Sequence, residues 1–179
     1  KLRGDIYPQG AKNEALQILS AVLLSKQNIT IRNIPRISDV LRLIELLMSL
    51  GVKVTQINEH DYTFQAKDIN LDYLNSKEFL EKSTSLRGSI MIIGPLLARF
   101  GKGFIPSPGG DKIGRRRLDT HFIGFQHLGA TFTFDAKTSS FTVSAKQLQG
   151  TYMLLDEASV TGTANIIMEA VLAKGTTTI

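Results

Sequence analysis

Residues Asn13–Ile31 read NEALQILSAVLLSKQNITI, an apolar helical stretch followed by a short β-branched strand. The same arrangement returns at Arg87–Ile105 (RGSIMIIGPLLARFGKGFI) and at Gly162–Ile179 (GTANIIMEAVLAKGTTTI). Val22, Leu96 and Val171 hold equivalent places at spacings of 74 and 75 residues, which marks an internal repeat. In the first two copies a second helix follows and stops at Leu50-Gly51 or Leu128-Gly129. Alternating strands come next, VKVTQ then DYTFQA in one copy and ATFTFD then SFTVSA in the other, as a hairpin requires. The predicted fold is α/β, built from α-β-α-β-β units. The copies run over about 10–84 and 85–158, with a third, incomplete one at 159–179. Two units and a stub would leave helix faces and a sheet edge uncovered, so the chain is expected to be part of a longer protein.

The two full copies differ in one connection. From Ile31 to Asp39, where the second helix begins, is 8 residues, whereas Ile105 to the equivalent Asp119 is 14. The lengthened loop carries PSPGGDKIGRRR, and a repeat that keeps its core but extends one strand–helix loop points to a ligand there. Gly109-Gly110 lets the backbone bend and expose amides. Arg115, Arg116 and Arg117 offer forked donors suited to phosphate and carboxylate. Asp119 is placed to cap the following helix. A solvated basic loop ending in a capping aspartate is the plain alternative.

Charge supports the same segment. The chain has a net charge of +5, from 21 Lys+Arg against 16 Asp+Glu, and Gly109–Arg117 alone contributes +3 of it. Basicity that local suits a defined anionic ligand better than a broad nucleic-acid footprint. A second clue lies at the starts of the three apolar helices, where the repeat places Asn13, Arg87 and Gly162, with Lys12 and Thr161 just before two of them. Helix N-termini present free amides, so three converging ones would make an anion site, although ordinary caps and a surface arginine explain each residue singly.

Other function classes lose support. The longest apolar stretch, Ile90–Ala98, is broken by Gly94-Pro95 and is too short to cross a bilayer, and KLRGDIYPQG holds no apolar signal segment. There is no cysteine, which excludes disulfides and thiolate metal sites, and His60, His121 and His127 lack metal-ligand spacing. No GxxxxGK[ST] motif and no GxGxxG after a strand is present. A cytoplasmic protein without metal is expected, with no membrane partner.

At GAKNEAL (Gly10–Leu16) and PGGDKIGRRRLDTH the sequence resembles the UDP-N-acetylglucosamine 1-carboxyvinyltransferases, the bacterial enolpyruvyl transferases of peptidoglycan synthesis. The similarity continues through SLRGSIMIIGPLLARFG and DEASVTGTANIIM and so covers essentially the whole chain. The resemblance implies an inside-out α/β barrel domain of the enolpyruvyl transferase type. Residues 1–9 would be a strand and linker belonging to a second domain outside this chain, and 10–179 most of one domain. It implies transfer of the enolpyruvyl group of phosphoenolpyruvate to the 3-hydroxyl of UDP-N-acetylglucosamine, without a cofactor.

By motif, the resemblance assigns Lys12 and Arg116 to phosphoenolpyruvate, Asn13 to the amino sugar and Arg87 to anionic groups of the nucleotide sugar. Arg117, Leu118, Asp119 and Thr120 would face the uridine, and Ser159, Val160 and Gly162 the diphosphate. Most members have proline where Arg117 stands, and many have lysine where Glu157 stands, so Glu157 is not carried over. Asp111 replaces the cysteine that most members use as a catalytic acid and that fosfomycin alkylates. Beside Lys112 and three arginines this aspartate is expected to ionise, the wrong state for an acid, unless bound substrate anions neutralise the arginines.

Three rivals remain open. A 5-enolpyruvylshikimate-3-phosphate synthase would share the fold and chemistry, but typically has a serine-rich segment around its lysine in place of GAKN. A nucleic-acid module reading phosphates through RRR predicts interleaved aromatics, and none lies between Phe104 and Phe122. A purely structural repeat leaves the lengthened loop unexplained.

Overall fold

The computed structural model describes residues 3–105, 118–136 and 140–179. The first unit runs α1 (Lys12–Ala21), β1 (Asn28–Ile31), α2 (Ser38–Ser49), β2 (Lys53–Gln56) and β3 (Tyr62–Gln65). The second has α4 (Ile93–Phe100), β4 (Lys102–Ile105), α5 (Asp119–His127), β5 (Thr131–Asp135) and β6 (Ser140–Ser144). Between them lies α3 (Lys77–Thr84), and α6 (Val160–Ala170) opens the third.

The two units build the same sheet. Each has three antiparallel strands with the last strand central, in the orders β1-β3-β2 and β4-β6-β5. Ile29 pairs with Phe64 and Val54 pairs with Phe64 from the other side, just as Gly103 and Phe132 flank Val143. Period-two burial fixes this register: Tyr62 and Phe64 are buried while Thr63 and Gln65 are half-buried. The helix stops fall where the sequence places them. Leu50 and Leu128 are the C-caps of α2 and α5, and Gly51 and Gly129 follow at φ 99° and 104°, a conformation that a side chain would strain.

α4 packs along α6, and α1 touches both α6 and the 3-10 turn Arg87–Ile92 that leads into α4. The close approach of α4 and α6 needs Gly94, where an added Cβ would lie 2.3 Å from the Asn165 carbonyl oxygen. One core gathers the first unit around Leu19, Leu43, Leu47 and Phe64, and a second joins Met91, Leu97, Phe125 and Val143. Arg99 pins the units together by donating to the carbonyls of Leu23 (2.9 Å), Ser25 (3.2 Å) and Ala66 (2.5 Å).

Four local expectations are corrected. Asp119 is the first residue of α5 and not its cap; the N-cap is Leu118, which makes no side-chain capping bond. Asn13 lies inside α1, and Ser159, not Thr161, caps α6 by accepting from the Gly162 amide at 3.2 Å. The segment after α6 forms no ladder strand; it makes isolated parallel bridges, Gln149 with Lys174 and Tyr152 with Thr178. Residues 3–9 are exposed. Among the described residues no helix is long and apolar enough to cross a membrane.

Candidate active site

The helix starts that the repeat makes equivalent open on one cleft of about 510 Å³. Lys12 and Asn13 reach it from the first turn of α1, Arg87 from the start of the 3-10 turn, and Ser159 and Thr161 from the start of α6. The first amides of a helix have no partner within it, so this end of the bundle is rich in donors. Leu118, the residue before α5, and His121 of α5 also line it. Leu118 is the first described residue after segment 106–117.

Charge here is balanced by opposing groups. Lys12 Nζ donates to Asp39 Oδ2 at 2.9 Å, a half-exposed pair between the first turns of α1 and α2. Arg87 and Glu157 also line the cleft. His121 is buried, and burial followed by the repulsion of the Arg87 cation pushes its pKa down to about 4. It is therefore a neutral imidazole at physiological pH.

Of the residues singled out in the sequence, Lys12, Asn13, Arg87, Leu118 and Ser159 line the cleft. Thr120 is buried behind it and donates to Asp156 Oδ1 at 2.7 Å. Gly162 sits within the α6 cap, where a Cβ would meet Ser159 Oγ at 2.9 Å and Thr120 Cγ2 at 3.0 Å. Asp119 stands one residue past the lining Leu118, and Val160 is exposed beside Ser159. Asp111, Arg116 and Arg117 lie outside the described residues. His121 and Asp39 belong to the cleft although motif reading gave neither a role. Among the described residues no group of three or more His, Asp or Glu side chains could hold a metal ion.

The sequence model of the EPSP synthase family (3-phosphoshikimate 1-carboxyvinyltransferase) matches residues 1–179, the whole chain. This chain belongs to the EPSP synthase family. Its relatives include proteins called UDP-N-acetylglucosamine 1-carboxyvinyltransferase. That of Bacteroides thetaiotaomicron is 59% identical over 179 residues, all of this chain and 41% of the relative. The proteins of Porphyromonas gingivalis and Treponema denticola are 59% and 43% identical over 178 residues. This member of the EPSP synthase family thus spans about 41% of the length of the curated relatives it matches.

Solved structures agree on the fold. The enolpyruvyl transferase NikO from Streptomyces tendae superposes at a TM-score of 0.79 and 17% identity, over 98% of this chain and 40% of that one. EPSP synthase from Acinetobacter baumannii superposes at 0.67 and 15%, over 96% and 39%. The repeated α/β units are therefore those of the inside-out enolpyruvyl transferase fold.

Proposed function

We propose that this chain is the part of a UDP-N-acetylglucosamine 1-carboxyvinyltransferase whose side chains touch both substrates. The observation that carries the reading is the 59% identity over the whole chain to relatives of that name, combined with the cleft beneath three helix starts. Residues 1–9 belong with a second domain of the full-length protein, and 10–179 form most of one domain. The setting is the cytoplasm, in cell-wall synthesis.

The reaction needs two anions held side by side and a proton moved at carbon. The 3-hydroxyl of the sugar gives its proton to a general base of the full-length protein and its oxygen adds to C2 of phosphoenolpyruvate, while an acid delivers a proton to C3. The tetrahedral intermediate then returns a proton from C3 to that acid's conjugate base and releases phosphate as the bond between C2 and the phosphate oxygen breaks. Lys12 and Arg116 bind the phosphoenolpyruvate anion, and pairing with cations holds it against its own repulsion. Asn13 takes the amino sugar and Arg87 the nucleotide sugar's charge. Ser159, Val160 and Gly162 meet the diphosphate at the α6 N-terminus, where amides and dipole favour anions. Arg117, Leu118, Asp119 and Thr120 face the uridine.

Asp111 is the acid. Bound phosphates offset the neighbouring arginines and let its carboxyl carry a proton when the site is full. A carboxylate is also a poor nucleophile toward an epoxide, so the enzyme resists fosfomycin. The test is a steady-state assay of phosphate release by the full-length protein with phosphoenolpyruvate and UDP-N-acetylglucosamine, repeated with Asp111→Asn. Turnover of the parent and its loss in the variant is the expected result. Near-normal turnover of Asp111→Asn would remove the acid role, and turnover only with shikimate 3-phosphate would assign the sister reaction instead.

A further inference from the structure

Asn165 sits in the middle of α6, a completely buried polar side chain followed directly by Ile166, Ile167 and Met168. Its hydrogen bonds leave the amide one orientation. Oδ1 accepts from the Gly94 backbone amide at 2.9 Å, and Nδ2 donates to the Ile90 carbonyl at 2.8 Å. Turning the amide over would set oxygen against a carbonyl and an NH₂ group against an N–H, which a dry interior penalises. The orientation is therefore fixed by backbone groups of α4 and of the 3-10 turn before it, independently of any histidine.

That fixed amide has one hydrogen left, and His121 Nδ1 lies 3.1 Å from Nδ2. A donor can only meet a lone pair, so Nδ1 is unprotonated and the single proton of the neutral ring rides on Nε2. His121 lines the cleft together with Lys12, Arg87 and Leu118. We propose that Asn165 is a positioning residue that locks His121 as its Nε2–H tautomer, so that the cleft wall presents a neutral hydrogen-bond donor to an oxygen of the anionic substrate. The inference rests on the reading of this cleft as the substrate site. A neutral donor suits the place, because an imidazolium beside Arg87 would add like charge where burial already disfavours it. A fixed tautomer also spares the ligand the cost of selecting one of two ring states on binding.

The experiment uses the full-length protein labelled with ¹⁵N-histidine. Long-range ¹H–¹⁵N spectra of the parent should show His121 with Nδ1 unprotonated and Nε2 protonated, and this needs no variant to fold. Asn165→Asp keeps the shape but replaces the donor with an acceptor, so the proton should move to Nδ1. UDP-N-acetylglucosamine affinity, measured by calorimetry, should then fall about tenfold, the worth of one hydrogen bond, with the melting transition still cooperative. A parent His121 protonated on Nδ1 overturns the proposal, and so does an Asn165→Asp variant with the proton moved and parental affinity kept. If the parent binds no UDP-N-acetylglucosamine while His121 carries its proton on Nε2, it is the functional reading that fails, and the tautomer lock stands without that ligand.

Discussion

Lys12 Nζ and Asp39 Oδ2, 27 residues apart in sequence, meet at 2.9 Å in the cleft lining and join the first turns of α1 and α2. Asp39 is also the residue that the repeat sets equivalent to Asp119, so the same position faces the cleft region in one unit and begins α5 in the other. Both partners are half-exposed, and such a pair contributes about 0–1 kcal/mol. Lys12 is thus available to an anion at little cost. Lys12→Met should weaken phosphoenolpyruvate binding by roughly 10–100-fold, the worth of one charged hydrogen bond. Asp39→Asn should leave the melting temperature nearly unchanged and binding within about threefold. Calorimetry on the full-length variants checks both, and equal losses from the two would refute the division of roles.

Glu169 gives a pH prediction. It is completely buried on α6, and neither carboxyl oxygen has a hydrogen-bond partner among the described residues. Burial pushes its pKa up to about 9 from 4.5, so the folded protein keeps the proton while the unfolded chain releases it above 4.5. Its favourable contribution is full below pH 4.5 and is lost as pH rises toward 9, at about 1.4 kcal/mol per pH unit. Glu169→Leu should raise the melting temperature at pH 8 and flatten its fall between pH 5 and pH 8. An unchanged slope would show that the carboxyl is not held neutral.

Gly94 tests the helix contact on which the Asn165 network depends. A Cβ there would come within 2.5 Å of Asn165 Oδ1 as well as striking the backbone. Gly94→Ala should destabilise the full-length protein by about 1–3 kcal/mol, as overpacking of a tight core does. It should also lower nucleotide-sugar affinity, because α4 and α6 must part and Asn165 loses its acceptor role. Chemical denaturation with calorimetry checks both, and parental stability would contradict the packing described.

Asp111 offers a chemical test. Asp111→Cys should make the full-length protein subject to time-dependent inactivation by fosfomycin, while the parent should be spared, since a thiolate attacks the epoxide and a carboxylate does so poorly. A covalent adduct detected by mass spectrometry on that residue is the expected readout. Continued resistance would mean that position 111 does not meet the inhibitor.

Much of the fold is legible in local pattern. Leu50-Gly51 and Leu128-Gly129 stop α2 and α5 because only glycine adopts the left-handed backbone cheaply, and the hairpins follow from strict alternation. The insert Leu71–Thr84 escaped, since its polar sequence has no counterpart in the second unit. Its caps were nevertheless present as signals: Asn70 accepts from the amides of Asp72 and Tyr73, and Ser76 from that of Phe79. The cleft was legible only in part. Lys12, Asn13, Arg87 and Thr161 stand at repeat-equivalent helix starts, which periodicity exposes, whereas Ser159 came from the family motif. The Lys12–Asp39 and His121–Asn165 pairs, by contrast, join residues 27 and 44 positions apart, and no local rule encodes them. Asn165, a polar residue directly before the apolar run Ile166-Ile167-Met168, was the one hint.

Calorimetric titration of the full-length protein with UDP-N-acetylglucosamine and, separately, with shikimate 3-phosphate decides which acceptor the cleft takes. Saturable one-to-one binding of the nucleotide sugar, weakened by Arg87→Ala, and no binding of shikimate 3-phosphate are expected. Tight binding of shikimate 3-phosphate with none of the nucleotide sugar would contradict the proposed function.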